Sequence, residues 1–365
     1  MKRRYKAYVI NGRKFMKNAV SVAIGIGVAC GIITGARLGD IKLDVPQNQA
    51  KEETQAEKTE KEFSLKNIVF NEFPFLKYLK TEQTKSVFNE INADRQVLPK
   101  SGIIVGLSGE LPIREIDSGQ NKTIGSENIL VKNETQYSVN TKDLLKEKLG
   151  LDMTVSGPKV LIIHTHGSES YTEEGKEFYI EGTGDRNTDT SFNVVRVGDK
   201  ITEVFEKAGI EVIHDRKMHD QPSYNGSYAS SLKSAERFIE EYPSIQVVLD
   251  IHRDAIVYAD GTKAKTVTEI DGEKTAQLMF VVGTNEGGLM HDNWRENLKF
   301  AVKLQNEINK KYPDLMRGIN LRRERFNGHL TKGSLIIEVG TSGNTLNEAI
   351  RGATLCAEVI SGFLI

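Results

Sequence analysis

The sequence has few cysteines and none of the short motifs that mark nucleophilic serine enzymes or nucleotide hydrolases. Its 365 residues include two cysteines, Cys30 in an apolar segment and Cys356 in a predicted last helix, which is neither a disulfide framework nor a cysteine zinc site. A Gly-x-Ser-x-Gly elbow, a phosphate-binding P-loop and a His-Glu-x-x-His helix are missing. The formal net charge of -1 gives no overall basic surface for nucleic acid. These absences exclude serine nucleophile chemistry and nucleotide hydrolysis.

The N-terminal part has the pattern of a membrane anchor. Residues 1–17 contain several lysines and arginines and no acidic residue, and residues 18–36 carry no charge. About twenty uncharged, mostly apolar residues can cross a bilayer as a helix. We predict a single transmembrane helix over 18–36, with 1–17 in the cytoplasm and the remainder outside. A cleaved signal peptide is the alternative.

Two regions without recognisable chemistry follow the predicted anchor. We interpret 37–96 as a polar tether with a short amphipathic segment, because Gln, Lys, Glu and Thr dominate 47–62 and leave little apolar surface to bury. Residues 97–157 form a small lead-in region, with strand-like patterns at 102–106 and 126–139.

Strand-like and helix-like patterns alternate from residue 158 to residue 365. Four segments have helical spacing of apolar residues: 191–209, 227–241, 293–310 and 344–363. Asp189 or Thr190 is available as the N-cap of the first of these helices. The alternation predicts an α/β domain with a mostly parallel central sheet and helices on both faces.

One apolar run ends in two histidines and a glutamate. Four residues at 160–163, mostly β-branched, lead into His164, His166 and Glu169, as in a strand buried on both faces whose carboxyl end opens into a polar loop. Open α/β sheets keep their sites at that end. Alternation along a strand would place His164 and His166 on the same face, and a Gly-Ser turn can bring Glu169 towards His166. Imidazole and carboxylate at this spacing suit zinc.

Two later runs add a histidine and another carboxylate. The run at 246–254 ends with His252 among charged residues, and the run at 333–341 carries Glu338 in an otherwise apolar strand. An unpartnered buried carboxylate is costly, so we expect Glu338 at the mouth of a site, beside a cation, or protonated. Two histidines, one glutamate ligand and one further glutamate are the groups of a zinc hydrolase.

The charged neighbours of His252 allow more than one interpretation. Asp250, Arg253 and Asp254 are compatible with ordinary salt bridges. Arg253 is also a candidate for contacting substrate or for fixing Glu338.

At these residues the chain resembles a family, the stage II sporulation protein P amidases of spore-forming Firmicutes. Three segments carry the resemblance in order and at similar spacing: His-Thr-His-Gly-Ser-Glu-Ser-Tyr at 164–171, Asp-Ile-His-Arg-Asp at 250–254 and Ile-Glu-Val-Gly-Thr at 337–341. Arg-Phe-Asn at 325–327 and Asn-Glu-Thr-Gln-Tyr at 133–137 are similar to further segments of the family.

The resemblance implies a zinc-dependent N-acetylmuramoyl-L-alanine amidase with a zinc amidase (phosphorylase/hydrolase-like) fold, and an additional endopeptidase activity as in relatives. It implies peptidoglycan glycan strands and stem peptides as substrate, during engulfment in sporulation. The implied partners are the sporulation protein D lytic transglycosylase and the sporulation membrane protein M. The implied location is the mother-cell membrane, facing the septal space.

Together with the residue patterns, the resemblance assigns His166, Glu169 and His252 to zinc, and Glu338 to proton transfer with the attacking water. Arg253 is assigned to helping zinc stabilise the oxyanion. The wider zinc amidase fold has a ligand glutamate where this chain has Asp189, so Asp189 is the alternative to Glu169, and His164 is the alternative to His166. The residues assigned to substrate binding or to supporting the ligands are His164, Asp254, Asn193, Arg325 and Asn327.

Two other functions compete with the amidase hypothesis. A zinc endopeptidase or carboxypeptidase would cut within the stem peptide and leave shortened stems on the sugar. A wall-binding scaffold would keep the fold and bind sacculi with substoichiometric zinc and no release of peptide.

Overall fold

The computed structural model describes residues 96–98, 110–116 and 129–365. All of these belong to one compact unit, Thr81–Ile365. The predicted cytoplasmic segment at 1–17, the anchor at 18–36, residues 37–95 of the tether and the strand expected at 102–106 lie outside the described residues. Within the described ranges, none of the helices combines the length and the apolar character needed to cross a membrane.

The described residues contain thirteen strands and five α-helices, numbered here in chain order. The strands are β1 Gln96–Leu98, β2 Leu111–Ile116, β3 Val131–Asn133, β4 Val160–Ile163, β5 Phe178–Tyr179, β6 Val212–His214, β7 Val247–Asp254, β8 Ile256–Tyr258, β9 Lys263–Ile270, β10 Glu273–Ala276, β11 Leu278–Val282, β12 Ile319–Leu321 and β13 Gly333–Thr341. The helices are α1 Thr141–Lys146, α2 Val194–Lys207, α3 Ser227–Glu241, α4 Trp294–Lys311 and α5 Leu346–Leu364.

Seven strands form the central sheet, in the order β3-β12-β11-β13-β7-β4-β6. The strands β13, β7, β4 and β6 are parallel to one another. The direction reverses between β13 and β11, and β12 and β3 run parallel to β11. The prediction of a mostly parallel sheet is therefore confirmed, since five of the six strand pairings are parallel and the β11–β13 pairing is antiparallel. A strand buried on both faces, such as β11, has the same apolar pattern in either direction.

Helices cover both faces of this sheet, as predicted. On one face, called the α2 face, strand residues such as Ile162 and Ile251 pack with α2, α4 and α5 in the main hydrophobic cluster. On the other, called the α3 face, Ile163 and Val248 pack against Ala235 of α3. Neighbouring residues of one strand therefore belong to different clusters, which is the alternation expected of a two-sided buried sheet.

A second, six-stranded sheet was not predicted. Its order is β1-β8-β9-β2-β5, with β10 paired to β9. The strands β8, β9 and β10 occupy the chain between β7 and β11, and β9 has the sequence Lys-Ala-Lys-Thr-Val-Thr-Glu-Ile, whose charged and threonine residues do not form an apolar run. The lead-in region contributes to both sheets, since β2 pairs with β9 and β3 with β12.

The bounds of α3 are those predicted, 227–241, and the bounds of α2, α4 and α5 differ from the predicted ones by a few residues. The N-cap of α2 is Asn193, whose side-chain oxygen accepts a hydrogen bond from the Val195 backbone N–H at 2.9 Å. The expectation that Asp189 or Thr190 caps this helix is therefore wrong. The Asp189 carboxylate instead accepts from the Ser191 N–H in the preceding turn.

Candidate metal and catalytic site

The carboxyl ends of β4, β7 and β13 bring the predicted site residues together. Glu338 of β13 lies opposite His252 of β7 in the parallel ladder, and Ile163 of β4 lies opposite Asp250. His252 and Glu338 are an even number of residues from Val248 and Ile336, which pack on the α3 face. Because side chains alternate along a strand, both point to the α3 face.

His166 and His252 form a perpendicular pair in the interior. Their ring centroids are 5.3 Å apart at an interplanar angle of 88°, and each side chain is 1% exposed. The Nδ1 atom of His252 lies 3.6 Å from Oε2 of Glu169, and its Nε2 atom lies 2.9 Å from Oδ1 of Asp250. Burial opposes protonation of His252, but the carboxylates of Asp250, Glu169 and Glu338 raise its pKa well above the usual value.

Aromatic residues at the start of α3 surround His166. The Tyr224 ring stacks on the His166 ring with centroids 4.3 Å apart and planes within 8°, and the Tyr228 ring meets it edge-on at 5.5 Å. The Ser227 hydroxyl lies 3.3 Å from His166 Nδ1. Sequence reasoning missed these three residues, although two tyrosines flanking a serine at a predicted helix start were an available signal.

Glu169 is held from two sides. Its Oε2 atom accepts a hydrogen bond from the Arg253 backbone N–H at 3.1 Å. Its Oε1 atom lies 3.7 Å from the Arg186 guanidinium, which also pairs with Asp220 at 2.7 Å and covers the Tyr224 ring at 4.7 Å. Arg186 therefore lies against both Glu169 and the tyrosine that covers His166, and sequence reasoning did not single it out.

A chain of hydrogen bonds supports Asp250 behind His252. The Asp250 carboxylate accepts from the Thr165 N–H at 2.8 Å and from the Thr165 hydroxyl at 2.6 Å. The Thr165 hydroxyl meets the Ser231 hydroxyl at 2.7 Å, and Asn327 donates to Ser231 at 2.8 Å. Burial favours the protonated acid, but His252 and the two bonds from Thr165 lower the pKa of Asp250 overall.

His164 points away from His166, so the prediction that they share a face is wrong. The strand ends at Ile163, and the alternation does not continue through the turn that follows. His164 Nδ1 lies 3.1 Å from the Ile251 carbonyl, and Nε2 lies 2.8 Å from Nε2 of His214. Burial, together with His214, lowers the pKa of His164 to about 3. The alternative that His164 replaces His166 beside His252 is not favoured by this geometry.

Arg253 is directed to backbone carbonyls. Its guanidinium donates to the carbonyl oxygens of Ser170 at 2.8 Å and Asp185 at 2.6 Å. The predicted contact between Arg253 and Glu338 is not among its hydrogen bonds, because Arg253 and His252 lie on opposite faces of β7. This geometry does not favour Arg253 as an oxyanion donor. Its backbone N–H holds Glu169, and its side chain holds the loop after Glu169.

The remaining candidates have structural contacts. Asp254 pairs with Arg317 at 2.8 Å, and Asn193 caps α2. Arg325 donates to the Met290 carbonyl at 3.4 Å. Asp189 is exposed, whereas Glu169 is buried beside His252. Asn327 is hydrogen-bonded into the His252 region through Ser231 and Thr165. Asn193 lies in a backbone bridge with Ser170, next to Glu169.

The donor set fits zinc, although among the described residues no three His, Cys, Asp or Glu side chains are already arranged as a metal site. The 3.6 Å between His252 Nδ1 and Glu169 Oε2 is close to the roughly 3.4 Å between ligands of a tetrahedral zinc with bonds of about 2.1 Å. His252 has Asp250 at its other ring nitrogen, and His166 has Ser227. Zinc-binding histidines usually have such a partner.

Solved amidase structures show a weak overall similarity to this chain. The N-acetylmuramoyl-L-alanine amidase AmiC2 of Nostoc punctiforme is 13% identical with a TM-score of 0.35, covering 57% of this chain and 99% of that one. The CwlD amidase of Clostridioides difficile, solved with the GerS lipoprotein, is 15% identical with a TM-score of 0.34, covering 56% and 98%. Similarity at this level assigns no activity to this chain.

Sequence comparison identifies the family. Stage II sporulation protein P of Bacillus subtilis (strain 168) is 31% identical over 241 residues, which are 63% of this chain and 56% of the relative. The chain thus matches little more than half of the relative's length. Residues 42–361 match the family model of stage II sporulation protein P (SpoIIP). This chain belongs to the stage II sporulation protein P family.

Proposed function

We propose that this chain is a zinc-dependent peptidoglycan hydrolase that cleaves the amide between the lactyl group of N-acetylmuramic acid and L-alanine of the stem peptide. The convergence of buried His166, Glu169 and His252 at the carboxyl ends of parallel strands, with Glu338 directly beside His252, carries the proposal. Family membership supports a role in sporulation, in remodelling of the septal wall during engulfment.

Each of these residues has one task in the proposed reaction. His166, Glu169 and His252 would hold zinc, which supplies a Lewis acid for the amide carbonyl. Glu338 would accept a proton from the attacking water and return it to the leaving amine. Asp250 orients His252 by its 2.9 Å contact, which keeps the Nδ1 atom of His252 directed towards Glu169.

Substrate reaches the candidate site only if the side chains of Tyr224 and Arg186 move. Glu169 and Glu338 are 2% and 8% exposed, and the two histidines are more buried still. Tyr224 covers His166, and Arg186 covers Tyr224. Displacement of these two side chains is therefore part of the proposal.

We also propose a cellular setting, suggested by the family resemblance and the N-terminal sequence pattern. Residues 18–36 would anchor the chain with its N-terminus in the cytoplasm and the hydrolase in the septal space. The sporulation protein D lytic transglycosylase and the membrane protein M are the proposed partners. Substrate would comprise both the glycan strands and the stem peptides of the wall.

Metal analysis and product identification on the purified full-length chain test the proposal. We expect one zinc per chain, release of intact stem peptides from sacculi, and loss of both activity and zinc on treatment with a chelator. Shortened stems left on sugar would identify a peptidase instead. Binding to sacculi with little zinc and no released peptide would identify a scaffold.

The Glu338→Gln variant tests the proton-transfer role separately. Loss of a general base typically costs about 10²–10⁴-fold in rate, and the zinc content should stay at the wild-type level. Glu358→Gln is a matched control, because Glu358 is an exposed residue of α5 paired only with Lys311 at 3.6 Å. Turnover by Glu338→Gln at the wild-type rate would contradict the assignment.

A further inference from the structure

A groove of about 930 Å³ lies beside the candidate site. The loop after Glu169 and the first residues of α5 enclose it, and we call it the 170–187 groove. Its size is within the roughly 300–1,000 Å³ of small-ligand sites. The residues that line it are Glu110, 170–180, Thr183, Gly184, Arg186, Asn187, Phe192, Lys263, Leu346 and Asn347.

The groove begins at the residues that hold Glu169. Ser170 follows Glu169 in the chain, and Arg186 pairs with Glu169 through a backbone bridge. The Arg186 guanidinium also lies 3.7 Å from the Glu169 carboxylate. A molecule in the groove therefore has one end next to the candidate site and extends away from it.

The groove has exposed apolar side chains of a kind that is rare elsewhere on the described surface. Phe178, Ile180 and Phe192 are 39%, 56% and 56% exposed, and they are three of the six exposed large hydrophobic residues among the described residues. All three line the groove. Exposed apolar side chains grouped within a polar rim mark ligand-binding grooves.

The charges of the groove oppose an anionic ligand, because its lining includes four glutamates, Glu110, Glu173, Glu174 and Glu177. Each basic side chain already has an acidic partner: Lys176 pairs with Glu173 at 3.3 Å, Arg186 with Asp220 at 2.7 Å and Lys263 with Asp185 at 2.5 Å. Neutral amides and hydroxyls are also present, from Thr172, Thr183, Asn187 and Asn347. Aromatic faces beside hydrogen-bonding groups suit uncharged sugar rings, which have apolar faces and hydroxyl edges.

The loop that forms the groove is fixed to the body of the protein. Arg253 donates to the carbonyls of Ser170 and Asp185. The Thr172 hydroxyl donates to the Ser342 carbonyl at 2.9 Å, and the Tyr179 hydroxyl donates to the Gly261 carbonyl. The groove is thus held in shape before a ligand arrives, which lowers the cost of binding.

We propose that the 170–187 groove binds the N-acetylated glycan strand of the substrate, with sugar rings stacking on Phe178 and Phe192. The choice of glycan rests on the proposed function, because a hydrolase of the muramoyl amide has a glycan strand attached next to the scissile bond. The proposal adds a binding site that places this strand along the loop after Glu169.

Titration of the full-length protein with the N-acetylglucosamine tetramer tests the groove directly. We expect binding by the wild type and a loss of affinity of about 10-fold or more in the Phe178→Ala, Phe192→Ala double variant, since both ring faces that would stack on the sugars are removed. Met290→Ala is the control, because Met290 is 78% exposed and lies outside the groove. Equal thermal unfolding of the three proteins shows that folding is unchanged.

Hydrolysis separates this inference from the proposed function. On sacculi, the double variant should have a raised KM and an unchanged kcat, and on a muramoyl dipeptide without further sugars it should match the wild type. If the wild type binds the tetramer but hydrolyses nothing, the proposed function fails and the groove assignment stands. If the wild type does not bind the tetramer, or the double variant binds it equally well, the groove assignment is wrong. Competition by free stem peptide alone would also overturn it.

Discussion

The His166–His252 pair is buried and the His291–His329 pair joins a buried ring to a half-buried one, and the two pairs have opposite electrostatic surroundings. Three carboxylates, from Glu169, Asp250 and Glu338, act on His252 and raise its pKa well above the usual value despite burial. The rings of His166 and His252 are 5.3 Å apart. This environment is negative before any metal is added, so it favours a cation.

The second pair has positive neighbours. The rings of His291 and His329 are 6.4 Å apart. Burial, with added effects of His329 and Arg325, lowers the pKa of His291 to about 3. Burial and Arg325 lower the pKa of His329 to about 4. A cation placed here would meet a guanidinium and no carboxylate that acts on either ring.

The comparison indicates that two neighbouring histidines do not by themselves favour a cation. The sign of the surrounding charge separates the two pairs, because burial opposes a charged ring in both. It also explains why the apolar runs that end in carboxylates were better guides to the site than the histidines alone.

Removal of a histidine from each pair should have the largest effect. We expect His166→Ala and His252→Ala to bind zinc more than about 100-fold more weakly, since loss of a partner behind a ligand already costs roughly 10–100-fold. His291→Ala should keep the wild-type zinc content. Metal analysis and chelator competition measure this. If His291→Ala lost zinc and His166→Ala kept it, the assignment of the two pairs would be reversed.

Asp250→Asn should weaken the first pair without removing a ligand. The amide keeps the shape of Asp250 but lacks the charge that orients and polarises His252, so zinc affinity should fall by roughly 10–100-fold. Asp215→Asn is a matched control, because Asp215 also contacts a histidine, His219, at 3.2 Å but is not part of the candidate site. Zinc competition titrations measure the affinity of both variants. An equal loss of zinc affinity in the two would argue against a specific role for Asp250.

The third histidine pair, His164 and His214, should respond to the helix that packs on it. A Cβ atom on Gly198 of α2 would lie 2.6 Å from His164 Nε2 and 2.7 Å from His214 Nε2. Gly198→Ala should therefore lower the free energy of unfolding by about 1–3 kcal/mol, although alanine favours helices by about 1 kcal/mol. Urea unfolding measures the change.

The matched control for Gly198→Ala is Gly362→Ala in α5. A Cβ atom at Gly362 would have no heavy atom within 4 Å, so only the helix preference remains and the variant should be slightly more stable. If both variants gained stability, the histidine rings would not be in contact with Gly198.

The smallest effect should be the change in the free energy of unfolding between pH 6 and pH 5 that comes from His291. Its pKa is about 3 in the folded protein and about 6.5 in an unfolded chain, so the unfolded state binds more protons below pH 6.5. Its contribution is complete above pH 6.5 and is lost as the pH falls towards 3, with a slope of about 1.4 kcal/mol per pH unit. His291→Gln should remove that slope between pH 6 and pH 5. An equal change in the free energy of unfolding with pH in the wild type and in His291→Gln would contradict the low pKa of His291.

The site could be predicted in part because its signal is local. The end of an apolar strand is visible in the sequence, and the strands ending at Ile163 and Asp254 and the one carrying Glu338 all lie in the central sheet. Their neighbour relations were not visible. That Glu338 stands opposite His252 depends on strand order and register, which the apolar pattern does not encode.

The directions of the site side chains, and the residues that pack over them, could not be predicted from the sequence for the same reason. The alternation rule failed at His164 because the strand ends one residue earlier. Arg253 turns to the carbonyls of Ser170 and Asp185, which come from a loop about seventy to eighty residues away in the chain. The stacking of Tyr224 on His166 likewise joins two distant segments.

The strand Gly333–Thr341 lies between β11 and β7 in the middle of the central sheet and follows the other twelve described strands in chain order. A nascent chain that has not reached residue 333 already contains both histidines of the candidate site but lacks Glu338 and the strand that joins the two halves of the sheet. Domains fold as units, so we expect the candidate site to assemble only after this strand has been synthesised.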